Sequence, residues 1–129
     1  MTRPRLLLID DEPALAAFVA NAASMSGFEP LITNDDGQFR EEFQAETPRM
    51  VVLDLGMPGM DGVELLRFLA AESFAGPVLI ISGFDRRVLE SAFRLGEALG
   101  LTMVGPLEKP VRLEALEALL GEHRPAPAP

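Results

Sequence analysis

The chain has no cysteine, no tryptophan and no tyrosine. Without cysteine there can be no disulfide, no thiolate-ligated zinc and no thiol nucleophile. No apolar run approaches the ~18 residues that a membrane span needs. The apolar run before Asp10 is only four residues long, too short for a signal peptide, and the expected location is the cytoplasm. Positive charge is also scarce. Eleven Lys and Arg face twenty Asp and Glu, for a net charge of −9. Such a surface repels phosphates and argues against direct nucleic-acid binding; its ordinary effect is solubility. There is one lysine, Lys109, and one histidine, His123.

What is present is a globular chain. Hydrophobic residues make up 48% of 129 positions, enough for one domain with a real core. The central stretch is Met50-Val51-Val52-Leu53-Asp54, an apolar run that stops at a carboxylate and breaks into a loop rich in Gly and Pro. Runs of this kind fit strands buried on both faces of a parallel sheet. Residues 5–9 form a similar run that ends at Asp10-Asp11-Glu12, with Pro13 suited to a first helical turn. Helical spacing follows at Leu15, Phe18, Val19, Ala22 and Ala23, and Gly27 suits the stop. A short strand is expected at 31–33, and a helix at 38–45 with Phe39 and Phe43 as its buried pair. Asp61 and Glu64 have the spacing of a capping box ahead of Val63, Leu66, Phe68 and Leu69. A fourth strand at 78–81 ends at Ser82-Gly83, and a fourth helix is expected at 86–100. A fifth, more mixed strand is expected at 101–104, at an edge, followed by a loop at 105–110. Leu113, Leu116, Leu119 and Leu120 mark a last amphipathic helix, and the Pro-Ala tail cannot pack.

Five strand–helix alternations imply parallel strands with crossover helices. All strand ends then meet at one edge, where open α/β sheets bind ligands. That edge gathers Asp10, Asp11, Thr33, Asp54, Ser82 and a loop holding Lys109. Two carboxylates about 5 Å apart repel by roughly 3 kcal/mol at an effective dielectric of about 20. A cluster of three therefore calls for a cation, and hard oxygens with room for water suit Mg²⁺. An aspartate in such a setting can attack phosphorus, with the amine and hydroxyl neutralising the transferred oxygens.

Residue by residue, the chain resembles the CheY-like receiver domains of two-component response regulators. The resemblance is carried by Asp10-Asp11, by Asp54 in the D-x-x-M-P-x-M-D-G pattern of residues 54–62, by Ser82, and by Lys109-Pro110. It covers roughly residues 4–121 and implies an α/β, flavodoxin-like (βα)5 fold with a parallel sheet of order 2-1-3-4-5. The expected organisation is a receiver domain over 1–121 and a Pro/Ala-rich tail or linker over 122–129. The resemblance assigns Asp54 as phosphoacceptor. It has Asp11 bind Mg²⁺ directly and Asp10 mainly through water, with Asp54 and the Gly56 carbonyl as further ligands. Ser82 and Lys109 would contact the phosphoryl group, and the Lys109–Pro110 peptide would be cis. The donor would be a sensor histidine kinase or a phosphotransfer protein; the downstream target is not specified. His123 lies too near the tail to be an internal donor.

Three departures stand out. Pro106 occupies the position where the family usually has a switch aromatic, and Val111 the position that is often Phe. Gly56 and Gly83 flank the site without side chains, which implies an open site and a short-lived phosphoryl group. Residues 82–86, 95–101 and 107–110 resemble receivers joined to EAL-type cyclic-di-GMP phosphodiesterases. By resemblance, the fourth helix, fifth strand and fifth helix form the output face, where Arg86, Arg87, Arg94 and Arg112 could pair across a homodimer. Two other classes compete. A receiver-like docking module independent of phosphorylation fits the missing aromatic. A Mg²⁺-dependent phosphohydrolase of the haloacid dehalogenase type would need its nucleophile after the first strand and room for a cap domain.

Overall fold

The computed structural model describes residues 3–57, 61–83 and 85–124. Pro58, Gly59 and Met60 of the central motif, Phe84 and the tail at 125–129 lie outside the described residues. Ten elements alternate along the chain: β1 (Arg5–Ile9), α1 (Pro13–Met25), β2 (Glu29–Thr33), α2 (Asp36–Ala45), β3 (Met50–Asp54), α3 (Gly62–Ala71), β4 (Pro77–Ser82), α4 (Arg86–Ala98), β5 (Thr102–Glu108) and α5 (Leu113–Glu122). The strands form one parallel sheet of order β2-β1-β3-β4-β5, as expected.

The two-residue period of the strands splits the core in two. Leu7, Ile9, Val51, Leu53, Val78 and Ile80 point to one face and pack with Phe39, Phe43, Leu65, Leu66, Leu69 and Leu89 of α2, α3 and α4. Leu6, Leu8, Met50, Val52, Leu79 and Ile81 point to the other and pack with Val19, Ala22, Ala23, Leu116 and Leu120 of α1 and α5. The central strand β3 is buried throughout, Asp54 included. Burial on both faces explains its unbroken apolar run.

Differences from the sequence reading concentrate at element ends. β2 begins two residues earlier than the expected strand, at Glu29, and includes Pro30. β5 continues through Gly105 and Pro106 to Glu108, where a loop was expected. Both are edge strands, where a proline's missing N–H leaves no central ladder bond unmade. An irregularity opposite Leu79 and Ile81 absorbs the altered register of β5. Helix α4 stops at Ala98, and the chain reverses at Gly100, whose φ of +88° suits glycine. Helix α2 starts two residues early because Asp35 caps it, accepting the Gln38 N–H at 2.7 Å. The Asp61 carboxylate caps α3 in the same way.

Gly76 meets backbone where a side chain would begin. A Cβ on Gly76 would strike the backbone carbonyl oxygen of Arg49, which cannot rotate away. A Cβ on Gly62 would meet only the end of the Leu55 side chain. Gly76→Ala is therefore expected to destabilise the chain by about 1–3 kcal/mol, the range for overpacking, and Gly62→Ala by less. Urea midpoints of the two variants check the order.

Candidate functional site

The sheet brings the two central carboxylates together by parity. Asp10 continues the row of Leu6 and Leu8 on β1, and Asp54 continues the row of Met50 and Val52 on β3. The strands are neighbours, so both acids sit at the same end of the sheet on the side of α1 and α5. Each is almost wholly buried, at 2% and 1% exposure. Burial of ionised groups is costly unless they are paired, so their partners matter.

Asp54 is well provided for. Its Oδ1 accepts the Gly56 N–H at 2.8 Å, and its Oδ2 accepts from the Lys109 ammonium at 3.0 Å. Asp10 is not. Its Oδ1 accepts the Glu12 N–H at 2.9 Å, but its Oδ2 is buried without a hydrogen-bond partner. Burial pushes the Asp10 carboxyl up to about 7 from 3.8; the Glu12 N–H opposes this, the Asp54 carboxylate adds to it, and Lys109 opposes it more weakly. For Lys109, burial favours the neutral amine, but hydrogen bonds to Glu12 and Asp54 outweigh it and the pKa rises.

Lys109 arrives from the far side of the sheet. It follows β5, and its backbone N–H donates to the Ser82 carbonyl at 2.9 Å. Its stem runs along Gly83, where a Cβ would come within 3.2 Å of Lys109 Cδ. Gly83, itself exposed, thus also makes room for the lysine. Ser82 is fully buried at the end of β4. Both Gly105–Pro106 and Lys109–Pro110 are cis, the second as expected. Thr33, also at a strand end, donates its hydroxyl to the Leu8 carbonyl at 2.8 Å and so serves the sheet.

Among the described residues, the acidic group with metal-ligand spacing is Asp10, Glu12 and Asp54, whose ligand atoms lie within 4.8 Å of one another. Asp11 is exposed and outside that group. Glu12 is the residue that the sequence reading passed over. The signal was available: it is the third acid of an unbroken Asp-Asp-Glu run at a strand end. The donor set suits a hard divalent cation, and the orphaned Asp10 Oδ2 is the atom that most needs one.

A pH dependence follows for the metal-free chain. Asp10 binds its proton more tightly folded than unfolded. Its contribution to stability is complete below 3.8 and is lost as pH rises through about 7. Asp10→Asn lacks this loss. The stability of Asp10→Asn relative to the parent is expected to grow between those two pH values and then level off, in urea titrations with chelator present.

Comparison with known proteins places this edge in context. The family model for the response regulator receiver domain matches residues 6–121. The transcriptional regulatory protein TrcR of Mycobacterium tuberculosis is 31% identical over 118 residues, covering 90% of this chain and 43% of that protein. The transcriptional regulatory protein FixJ of Bradyrhizobium diazoefficiens is 30% identical over 119 residues, covering 92% of this chain and 56% of that protein. The chain thus spans about half the length of these relatives. The crystal structure of a response regulator from Colwellia psychrerythraea superposes with a TM-score of 0.78 at 26% identity, covering 94% of this chain and 96% of that one. A sheet edge built this way, matched over nearly its whole length, belongs to a receiver domain of the two-component response regulators.

Proposed function

We propose that the chain is a phosphorylation-activated switch in a two-component phosphorelay, with Asp54 as phosphoacceptor. The observation that carries this reading is the Lys109 ammonium 3.0 Å from a buried Asp54 oxygen, beside an acidic group with one unpartnered oxygen. The donor is a sensor histidine kinase or a phosphotransfer protein. An Asp54 carboxylate oxygen attacks phosphorus, the bond from phosphorus to the donor imidazole nitrogen breaks, and the nitrogen keeps the electron pair. The product is an acyl phosphate on Asp54. Lys109 offsets charge on the phosphoryl oxygens, and the Ser82 hydroxyl hydrogen-bonds to one of them. Asp10, Asp11, Asp54 and the Gly56 carbonyl would hold Mg²⁺, with Glu12 within reach and Asp10 acting mainly through water. When bound, Mg²⁺ supplies positive charge to the transferred group. Catalysis is confined to the chain's own phosphorylation and dephosphorylation. Gly56 offers no side chain to shield the acyl phosphate from water, which favours a short lifetime.

The receiver unit is taken as residues 1–121, with 122–129 as a tail or linker, although α5 itself reaches Glu122. The finer resemblance to receivers joined to EAL-type phosphodiesterases rests on residues 82–86, 95–101 and 107–110. Among the described residues no helix is long and apolar enough to cross a membrane. That fact and the net charge support a cytoplasmic site of action without direct nucleic-acid contact. Self-association through α4, β5 and α5 would use Arg87, Arg94 and Arg112. Arg86 is already engaged within the chain, 2.8 Å from Glu108.

A second reading, docking without phosphorylation, draws on Pro106. The usual aromatic swings by a rotamer change, and a proline built into β5 has none to make.

Acetyl phosphate with Mg²⁺ separates the readings. Intact mass is expected to show one added phosphoryl group on the parent chain and none on Asp54→Ala. Lys109→Ala should be phosphorylated at least about tenfold more slowly, as for loss of a charge-stabilising donor. An unmodified parent, or a modified Asp54→Ala, overturns the phosphoacceptor assignment. Mg²⁺ alone should raise the parent's thermal midpoint, because it binds only the folded site, and it should do so far less in Asp10→Asn.

A further inference from the structure

The start of α1 differs from those of α2, α3 and α4. Each of those three helices has an aspartate side chain accepting a backbone N–H at its N-cap. Glu12, at the N-cap of α1, makes no such bond. Its Oε1 instead accepts from the Lys109 ammonium at 2.7 Å, across 97 positions of sequence. The same ammonium reaches Asp54 Oδ2 at 3.0 Å. One cation is therefore divided between a buried carboxylate and an exposed one.

We propose that Glu12 is a positioning residue that competes for Lys109 and so limits how strongly Lys109 holds a phosphoryl group on Asp54. The proposal rests on the phosphoacceptor reading above. Two opposite effects have to be weighed. Glu12 tethers Lys109, which favours a ready site. It also neutralises Lys109 and repels an incoming oxyanion. The tether is partly redundant, because the Lys109 stem already lies along Gly83 and its backbone is fixed to Ser82. The charge is not redundant. A carboxylate about 5 Å from an oxyanion weakens its binding by about fourfold even at the dielectric of water, and by more in a partly buried site. The repulsion therefore outweighs the tether.

Lys109 is the only lysine, so isotope-labelled lysine gives one side-chain ammonium signal. In the metal-free chain, Glu12→Gln is expected to shift that signal and speed its exchange with water. Among the described residues, Asp54 would remain as the ammonium's one carboxylate partner, the introduced amide oxygen being an uncharged and weaker acceptor. With Mg²⁺ titrated separately and held saturating, beryllofluoride should bind Glu12→Gln about threefold or more tightly than the parent, and Glu12→Asp within about twofold of the parent. A merely structural Glu12 would alter the melting midpoint of Glu12→Gln but neither readout. An unmoved ammonium signal, or beryllofluoride affinity that is unchanged or lower in Glu12→Gln, overturns the proposal. A parent chain that ignores beryllofluoride overturns the phosphoacceptor reading itself, whereas a parent that binds it no differently from Glu12→Gln overturns this inference alone.

Discussion

The structure depends on holding two carboxylates at the ends of adjacent buried strands with one ammonium hydrogen-bonded to Asp54. Asp10 and Asp54 could each be tolerated alone as a capped turn residue. Side by side at 2% and 1% exposure, they create a demand for positive charge that hydrogen bonds to Glu12 and Gly56 meet only in part. Lys109 meets it for Asp54, and the unpartnered Asp10 oxygen keeps the demand open. The apolar rows on both faces of β1 and β3 fix these acids in place, because a one-residue slip would turn every side chain to the opposite face.

Much of this was legible in the sequence because each strand stops at its own chemistry. The apolar runs ending at Asp10, Asp54 and Ser82 announced both the strands and the edge they share. Phe39 and Phe43 packed as their spacing required. The boundaries that could not be read were those of β2 and β5. Pro30 and Pro106 look like strand breakers, and only the sheet order shows that they fall where a missing donor does no harm. Glu12 was hidden for a different reason. An acid before a helix reads as a cap, and nothing local shows that its side chain reaches a lysine 97 positions away. The packing of the Lys109 stem along Gly83 was equally out of reach, because it depends on the path of that stem.

Side-chain contacts join α4 to β5 next to the site. Arg86, the first residue of α4, pairs with Glu108, which immediately precedes Lys109. Farther along the same helix, the absence of a side chain at Gly96 lets Met103 of β5 lie directly against α4. Pro106 has no rotamer to change, and α4 meets β5 here through the Arg86–Glu108 side-chain pair and the Met103 side chain against Gly96. The exposed pair itself is worth little in stability; its significance is that both ends are attached to rigid elements.

The prolines in the two outer strands have one more consequence. An edge strand with all its donors free is a template on which another sheet can grow. Here Pro30 and Pro106 leave a gap in that row on either flank. Continuous strand-to-strand extension, the route to fibrous aggregates, is obstructed at both borders.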